Sequence, residues 1–195
     1  KSDDVFVVSD DNPRRRLALM AARFYPRQPE TIIAVTGTNG KTSTADFAAQ
    51  IWARVGVNGG SLGTLGLRTS GRGTEGTLTT PDPVTLHQTL DRLAGEGVQH
   101  LAMEASSHGL DQYRLDGVRI SAAAFTNISH DHLDYHGSQD AYLTAKLRLF
   151  AEVMPEGGIA VLNIDVPEFE KVRAVCAARR QLVITYGTDA RADFR

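Results

Sequence analysis

With 195 residues, 42% hydrophobic and 23% charged, the chain has an ordinary soluble composition, long enough for one packed domain and a piece of another. The formal net charge of −2 excludes a global pull toward nucleic acid or an anionic membrane, so an anionic substrate must be held by local groups. Cys176 is the only cysteine, which excludes an internal disulfide and a cysteine-based metal site and fits a reducing compartment. No apolar stretch approaches the ~20 residues that cross a bilayer, and Lys1-Ser2-Asp3-Asp4 does not read as a signal peptide.

Val5-Phe6-Val7-Val8 reads as a short strand. Asp11-Asn12-Pro13-Arg14 reads as a helix-start turn, with Pro13 at the first helical position. Arg14 to Tyr25 has helical spacing, with Leu17, Met20, Ala21 and Phe24 on one face, and Pro26 and Pro29 end it. Ile32-Ile33-Ala34-Val35 is then a buried strand, followed by Thr36-Gly37-Thr38-Asn39-Gly40-Lys41-Thr42-Ser43-Thr44 and a helical Ala45–Ala53. Strand, glycine loop, Lys-Thr and helix is the setting in which a P-loop binds phosphates. Gly37 and Gly40 let the backbone turn sharply and bring N–H groups to phosphate oxygens, and the helix dipole adds its positive end. Lys41 would reach the terminal phosphates and Thr42 would offer its hydroxyl to Mg2+. Only Thr38 and Asn39 separate the two glycines, where the general motif has four residues.

Downstream, Asn58 to Gly66 alternates glycine with small and apolar residues, suggesting a strand close to other backbone. Thr69 to Gly76 reads as a hairpin or loop. Pro83 opens a helix through Val84, Leu86, Leu90 and Leu93 that Gly95 and Gly97 stop. His100–Glu104 is a buried strand ending on an acid, Ala105–Gly109 a loop, and Val118–Phe125 a strand ending in Thr126-Asn127. Ser138–Phe150 is a helix with Tyr142, Leu143, Leu147 and Phe150 inward. Ile159–Asn163, Pro167–Ala178 and Leu182–Tyr186 follow as strand, helix and strand. The alternation predicts an α/β fold, a mainly parallel sheet with helices on both faces. Ligands gather at the carboxyl ends of such strands, so the P-loop, Glu104 and Asn127 can converge.

Glu104 at a strand end beside a P-loop is a natural Mg2+ ligand, because hard oxygen donors suit this cation. Ser106, Ser107 and His108 would bind substrate oxygens or form a turn. The segment Asn127–Gly137 holds three of the six histidines, which suggests a metal or phosphate site. Zinc on His130, His132 and His136 is one alternative, and hydrogen bonding in a turn is another. Lys146, taken alone, reads as a snorkelling surface lysine. No spacing suggests a glycosidase carboxylate pair, a Ser-His-Asp triad or a nucleophilic cysteine.

Taken together, the motifs resemble the Mur ligase family. Val35–Thr42 is similar to its ATP loop, shortened glycine spacing included. Met103-Glu104-Ala105-Ser106-Ser107-His108-Gly109-Leu110 and Phe125–Gly137 resemble signatures of its MurE branch. The likeness runs from about Ala18 to Leu162. It implies a P-loop NTPase-like central domain and an ATP-dependent amide ligase of peptidoglycan biosynthesis. Such a ligase adds meso-diaminopimelate or L-lysine to UDP-N-acetylmuramoyl-L-alanyl-D-glutamate in the bacterial cytoplasm, through an acyl phosphate. Gly37, Thr38, Asn39, Gly40, Lys41, Thr42 and Ser43 would hold ATP. Thr42, Glu104, His132 and Lys146, the last as a carbamate, would serve Mg2+. Lys41, Glu104, His132 and Lys146 would be the catalytic set. Thr79, Thr80, Ser106, Gln112 and Arg114 fall where the family contacts the UDP-muramoyl dipeptide. Leu78 departs from relatives with a polar residue before the Thr-Thr pair.

Of three family domains, residues 1–30 are expected to be the tail of the UDP-binding one plus a linker, and 31–195 the ATP-binding one, incomplete at its C-terminus. The amino-acid domain is expected to be absent, leaving the piece inactive alone. Partners expected are the dipeptide and the amino acid, with no nucleic acid, no membrane insertion and a monomeric state. Asp11-Asn12-Pro13-Arg14 also spells a motif that diaminopimelate-adding members carry in the third domain, but its place before the P-loop gives it no bearing on specificity. A folylpolyglutamate or cyanophycin synthetase relative and a nucleotide-binding module without ligase activity are the alternatives.

Overall fold

A computed structural model describes residues 7–69, 72–74 and 78–195. Eight strands form one sheet in the order β4-β3-β2-β5-β1-β6-β7-β8. They are β1 (Thr31–Thr36), β2 (Gly59–Gly63), β3 (Gly66–Thr69), β4 (Arg72–Thr74), β5 (His100–Glu104), β6 (Ala122–Phe125), β7 (Ile159–Asn163) and β8 (Leu182–Tyr186). The six from β2 to β8 in that order are parallel, and β3 and β4 add an antiparallel edge. The central β5, β1 and β6 carry short runs of apolar side chains on both faces, the composition of doubly covered parallel strands.

The helices are α1 (Pro13–Phe24), α2 (Lys41–Arg54), α3 (Pro83–Gly95), α4 (Ser107–Asp111), α5 (Leu133–His136), α6 (Gln139–Arg148) and α7 (Phe169–Ala178). From β1 the chain crosses to β2 on one side, and the later crossovers to β6, β7 and β8 run the other way. Right-handed crossovers therefore put α2 on one face and the later helices on the opposite face. α2 packs over β2 and β5, where Gly59 lies under Trp52, and α7 packs over β7 and β8. The core gathers Leu86, Leu90 and Leu93 of α3 with Leu101, Met103, Phe125, Phe150 and Leu162.

Several boundaries differ from expectation. Val5 and Phe6 lie outside the described residues, and Val7 and Val8 form no strand and are exposed. Asn58–Gly66 is not one strand: β2 turns at Thr64-Leu65 and returns as β3, and β4 completes the expected hairpin, with residues 70–71 and 75–77 outside the description. The strand foreseen from Val118 begins only at Ala122, because Val118 and Ile120 turn on Leu115 and Val118 carbonyls while burying their side chains. The Ala105–Gly109 loop includes the start of α4, capped by Ser106. α6 ends at Arg148 and continues as a π-helical turn, Leu149–Val153, and α7 starts at Phe169 rather than Pro167. Of the expected α1 face only Ala21 is buried, together with Ala18, whereas Leu17, Met20 and Phe24 are about half or more exposed. The Asp11–Arg14 turn forms as expected, with the Asn12 side chain capping Arg15 N–H at 3.0 Å and Pro13 opening the helix.

Candidate active site

The ends of β1, β5 and β6 meet. Gly37 (φ 143°) and Gly40 (φ 85°) lie in the half of backbone space that disfavours side chains, and a Cβ on Gly37 would overlap the Thr126 hydroxyl. Thr126 and Asn127, at the end of β6, hold the loop from behind. The Thr126 hydroxyl donates to the Asn39 carbonyl at 2.7 Å. Asn127 accepts from Thr38 N–H at 2.8 Å and, through Oδ1, from Asn39 N–H at 3.0 Å. Gly40 caps α2 without a side chain, so the first-turn N–H groups of Lys41, Thr42 and Ser43 keep their positive ends for an anion. The Ser43 side chain makes no hydrogen bond among the described residues, and Thr38 Oγ1 lies 3.2 Å from the Tyr142 hydroxyl.

Lys41 folds back on the loop, its Nζ donating to the carbonyls of Gly37 at 3.0 Å and Thr38 at 2.7 Å. Burial lowers its pKa against the opposing pull of Glu104 and Asp131. Lys146 reaches the same Gly37 carbonyl from α6 at 2.8 Å. It is 1% exposed, not a surface lysine, and burial together with the charge of Lys41 pushes its pKa down to about 7.

Glu104 is 1% exposed and stretches across the end of β2. Its Oε1 accepts from the Thr42 hydroxyl at 2.8 Å and from Thr64 N–H at 2.7 Å, and the Thr64 hydroxyl lies 3.3 Å from Oε2. Gly63 leaves the space for this, since a Cβ there would fall on the carboxylate. Thr64 is a site residue that the sequence reading missed; the glycine-rich pattern of β2 showed a close approach without showing what approached. The Thr64 hydroxyl lies 3.0 Å from that of Thr79, which joins Glu104 to the Thr79-Thr80 pair.

The remaining expected substrate residues form one network with that pair. Thr80 donates to the Glu104 carbonyl at 3.0 Å and accepts from the Ser106 hydroxyl at 3.0 Å. Arg114 donates to the Thr80 carbonyl at 2.7 Å and to Gln112 Oε1 at 2.6 Å. Gln112 donates in turn to the Tyr135 hydroxyl at 3.1 Å. Leu78 is half-exposed beside them.

The histidines cluster differently from the zinc alternative. The ring of His108 packs edge-on to His132 at 4.8 Å between centroids and lies 5.5 Å from His136, while His130 stays outside. Burial and then neighbouring positive charge lower the pKa of both His108 and His136. Among the described residues no group of three or more His, Cys, Asp or Glu could hold a metal. His132 sits in the left-handed region (φ 51°), and its Nε2 is 3.5 Å from Asp131; it makes no hydrogen bond to Thr42 or Glu104. The Thr42 and Glu104 oxygens, adjacent at the P-loop, are the donor set that suits a hard divalent cation such as magnesium.

Fold and site define a P-loop α/β domain with a buried carboxylate beside the loop. The Mur ligase middle domain model matches residues 35–195, and the chain belongs to that family. It is 63% identical over 154 residues to a UDP-N-acetylmuramoyl-L-alanyl-D-glutamate--2,6-diaminopimelate ligase of Bradyrhizobium diazoefficiens, covering 79% of this chain and 32% of that protein. A protein of the same name from Rhizobium meliloti is 54% identical over 176 residues, covering 90% of this chain and 35% of its own length. The chain thus spans about a third of the length of these curated relatives. A solved structure of a ligase of that name superposes with a TM-score of 0.84 at 32% identity, covering 95% of this chain and 39% of that one. Escherichia coli FolC bound to DHPP and ADP shares the fold, with a TM-score of 0.71 at 18% identity, covering 95% of this chain and 50% of that one.

Proposed function

We propose that this chain is the ATP-binding part of a ligase that joins meso-diaminopimelate to UDP-N-acetylmuramoyl-L-alanyl-D-glutamate. In that reading, residues 31–195 belong to the central domain and 1–30 to the tail of the UDP-binding domain and a linker. The observation that carries it is the P-loop joined to Glu104 and, through Thr64, to the Thr79-Thr80-Ser106-Arg114 network, in a chain whose relatives bear that ligase name. The P-loop and this polar network meet at the carboxyl ends of neighbouring strands, bridged by Glu104 and Thr64, an arrangement that supports transfer of a phosphoryl group to a bound carboxylate.

Residues Gly37–Ser43 receive the ATP phosphates. Lys41 exchanges its loop carbonyls for γ-phosphate oxygens and neutralises charge there. Thr79, Thr80, Ser106, Gln112 and Arg114 orient the dipeptide so that the D-glutamate side-chain carboxylate attacks the γ-phosphorus and ADP departs. The amine of diaminopimelate then attacks the acyl phosphate, forming the amide and releasing phosphate, and its surplus proton goes to solvent. No protein nucleophile is needed. Lys146, neutral in a large fraction near pH 7, adds CO2 at Nζ with loss of a proton and becomes a carboxylate. Thr42, Glu104, His132 and the Lys146 carbamate would hold magnesium, which supplies charge neutralisation on the phosphates when bound.

The test uses the full-length protein with ATP, the UDP-muramoyl dipeptide and amino acid. Phosphate release that needs both dipeptide and diaminopimelate is expected. Release without them, or supported by a folate instead, would overturn the reading.

A further inference from the structure

Arg148 lies two residues beyond Lys146 on α6 and has no part in the chemistry above. It is 8% exposed, and its guanidinium hydrogen bonds go to one segment, residues 110–116. Nη2 donates to both Asp116 carboxylate oxygens at 2.8 Å, and Nη1 donates to the Leu110 carbonyl at 2.8 Å. Between these anchors the guanidinium carbon sits 4.0 Å from the centroid of the Tyr113 ring. Tyr113 has φ 59°, a conformation uncommon for a bulky residue, and stacking on a cation holds it there. One side chain therefore grips the segment at both ends and in the middle.

That segment carries Gln112 and Arg114, whose side chains run outward to Tyr135 and Thr80. Arg114 lies one residue after the gripped Tyr113, so a shift in the grip moves its guanidinium against the Thr80 carbonyl. Only a planar fork can serve a carboxylate, a carbonyl and a ring face at once; a lysine ammonium is a point charge. Two further ionic contacts are peripheral. Arg15 reaches Asp116 at 3.0 Å from the exposed side of α1. Glu152 is 2.9 Å from Arg148 Nε, but half-exposed and not aligned for a hydrogen bond.

We propose that Arg148 is a positioning residue for the UDP-muramoyl substrate, setting Gln112 and Arg114 and tying their place to the turn of α6 that bears Lys146. This rests on the reading of Gln112 and Arg114 as dipeptide contacts. The test is steady-state kinetics of the full-length protein with Arg148→Lys, Asp116→Asn and the double variant Arg148→Leu/Asp116→Leu, alongside thermal melts. The double variant replaces a buried pair by apolar side chains, which keeps or raises stability while removing the grip. A KM for the dipeptide raised ~10-fold or more is expected in all three, with the KM for ATP within about twofold of wild type, since the misplacement is confined to one substrate's contacts. A stable double variant with an unchanged dipeptide KM overturns the proposal, as does an equal rise in both KM values. A wild-type protein without dipeptide-dependent turnover overturns the ligase reading itself, and this proposal with it.

Discussion

Lys41 and Lys146 share one acceptor, the Gly37 carbonyl, and their mutual repulsion adds to burial in lowering the Lys146 pKa to about 7. In the unfolded chain a lysine titrates near ~10.4, so between about pH 7 and 10 the unfolded state binds more protons and stability rises with pH. Below pH 7 the penalty is present in full. Lys146→Met should therefore stabilise the protein by on the order of a few kcal/mol at pH 6.5, a gain that shrinks toward pH 10. Denaturant unfolding at several pH values measures this, and a gain independent of pH would refute the assignment. The same variant in the full-length protein should lose activity, and bicarbonate should not restore it. Gly63 makes a second residue-scale case. Its missing Cβ is the space the Glu104 carboxylate occupies, so Gly63→Ala should cut ATP-dependent turnover by ~10–100-fold by displacing that carboxylate. Turnover within twofold of wild type would show that Glu104 does not need this position.

The starts of α1 and α3 were legible, because a cap is a local matter of one side chain and the next turn, whereas those of α4 and α7 were not. Asp82 before Pro83 caps α3 by accepting from Val84 and Thr85 N–H at 3.0 Å each. Asp82→Ala should cost about 1 kcal/mol at pH 7, with faster amide exchange confined to the first turn of α3. Loss spread evenly over the domain would contradict a local cap. Faces were less legible than starts. The spacing of Leu17, Met20, Ala21 and Phe24 is helical, yet only Ala21 of these is buried, together with Ala18, in a helix that packs on α3. Periodicity shows that an apolar stripe exists, and the small residues beside it decide how closely two helices approach. Val118 and Ile120 erred for a related reason: both are buried, but in a turn, and burial alone does not make a strand.

At the scale of the molecule, α2 covers only part of its face of the sheet. Ile33, Ala122, Ile159 and Leu182 lie in one cross-strand row on that face, and it opens toward the edge, where Ile159 is 38% and Leu182 59% exposed. Such a continuous apolar patch binds apolar dyes. The double change Ile159→Thr/Leu182→Thr should lower dye binding by this 195-residue chain while changing stability by less than about 1 kcal/mol, because β-branched threonine suits a strand and little buried area is lost. Unchanged dye binding would show that the patch is covered in solution. Among the described residues no helix is long and apolar enough to cross a membrane.

The P-loop, the strand-end acid, the alternation of strands and helices and the family likeness all follow from short-range patterns, and the sequence alone was enough to expect them. Which groups meet was decided by the sheet order. It places the end of β1 between those of β5 and β6, so that Thr126 and Asn127 brace Asn39 of the loop, 87 and 88 residues away in sequence. It likewise buries Lys146 against Gly37, although a helix of mixed residues gives no sign that its lysine faces inward. Thr64 and the Arg148–Asp116 grip belong to the same class: each is a contact between distant segments, and residue spacing carries no information about which acceptor a donor will find once the chain has folded back on itself.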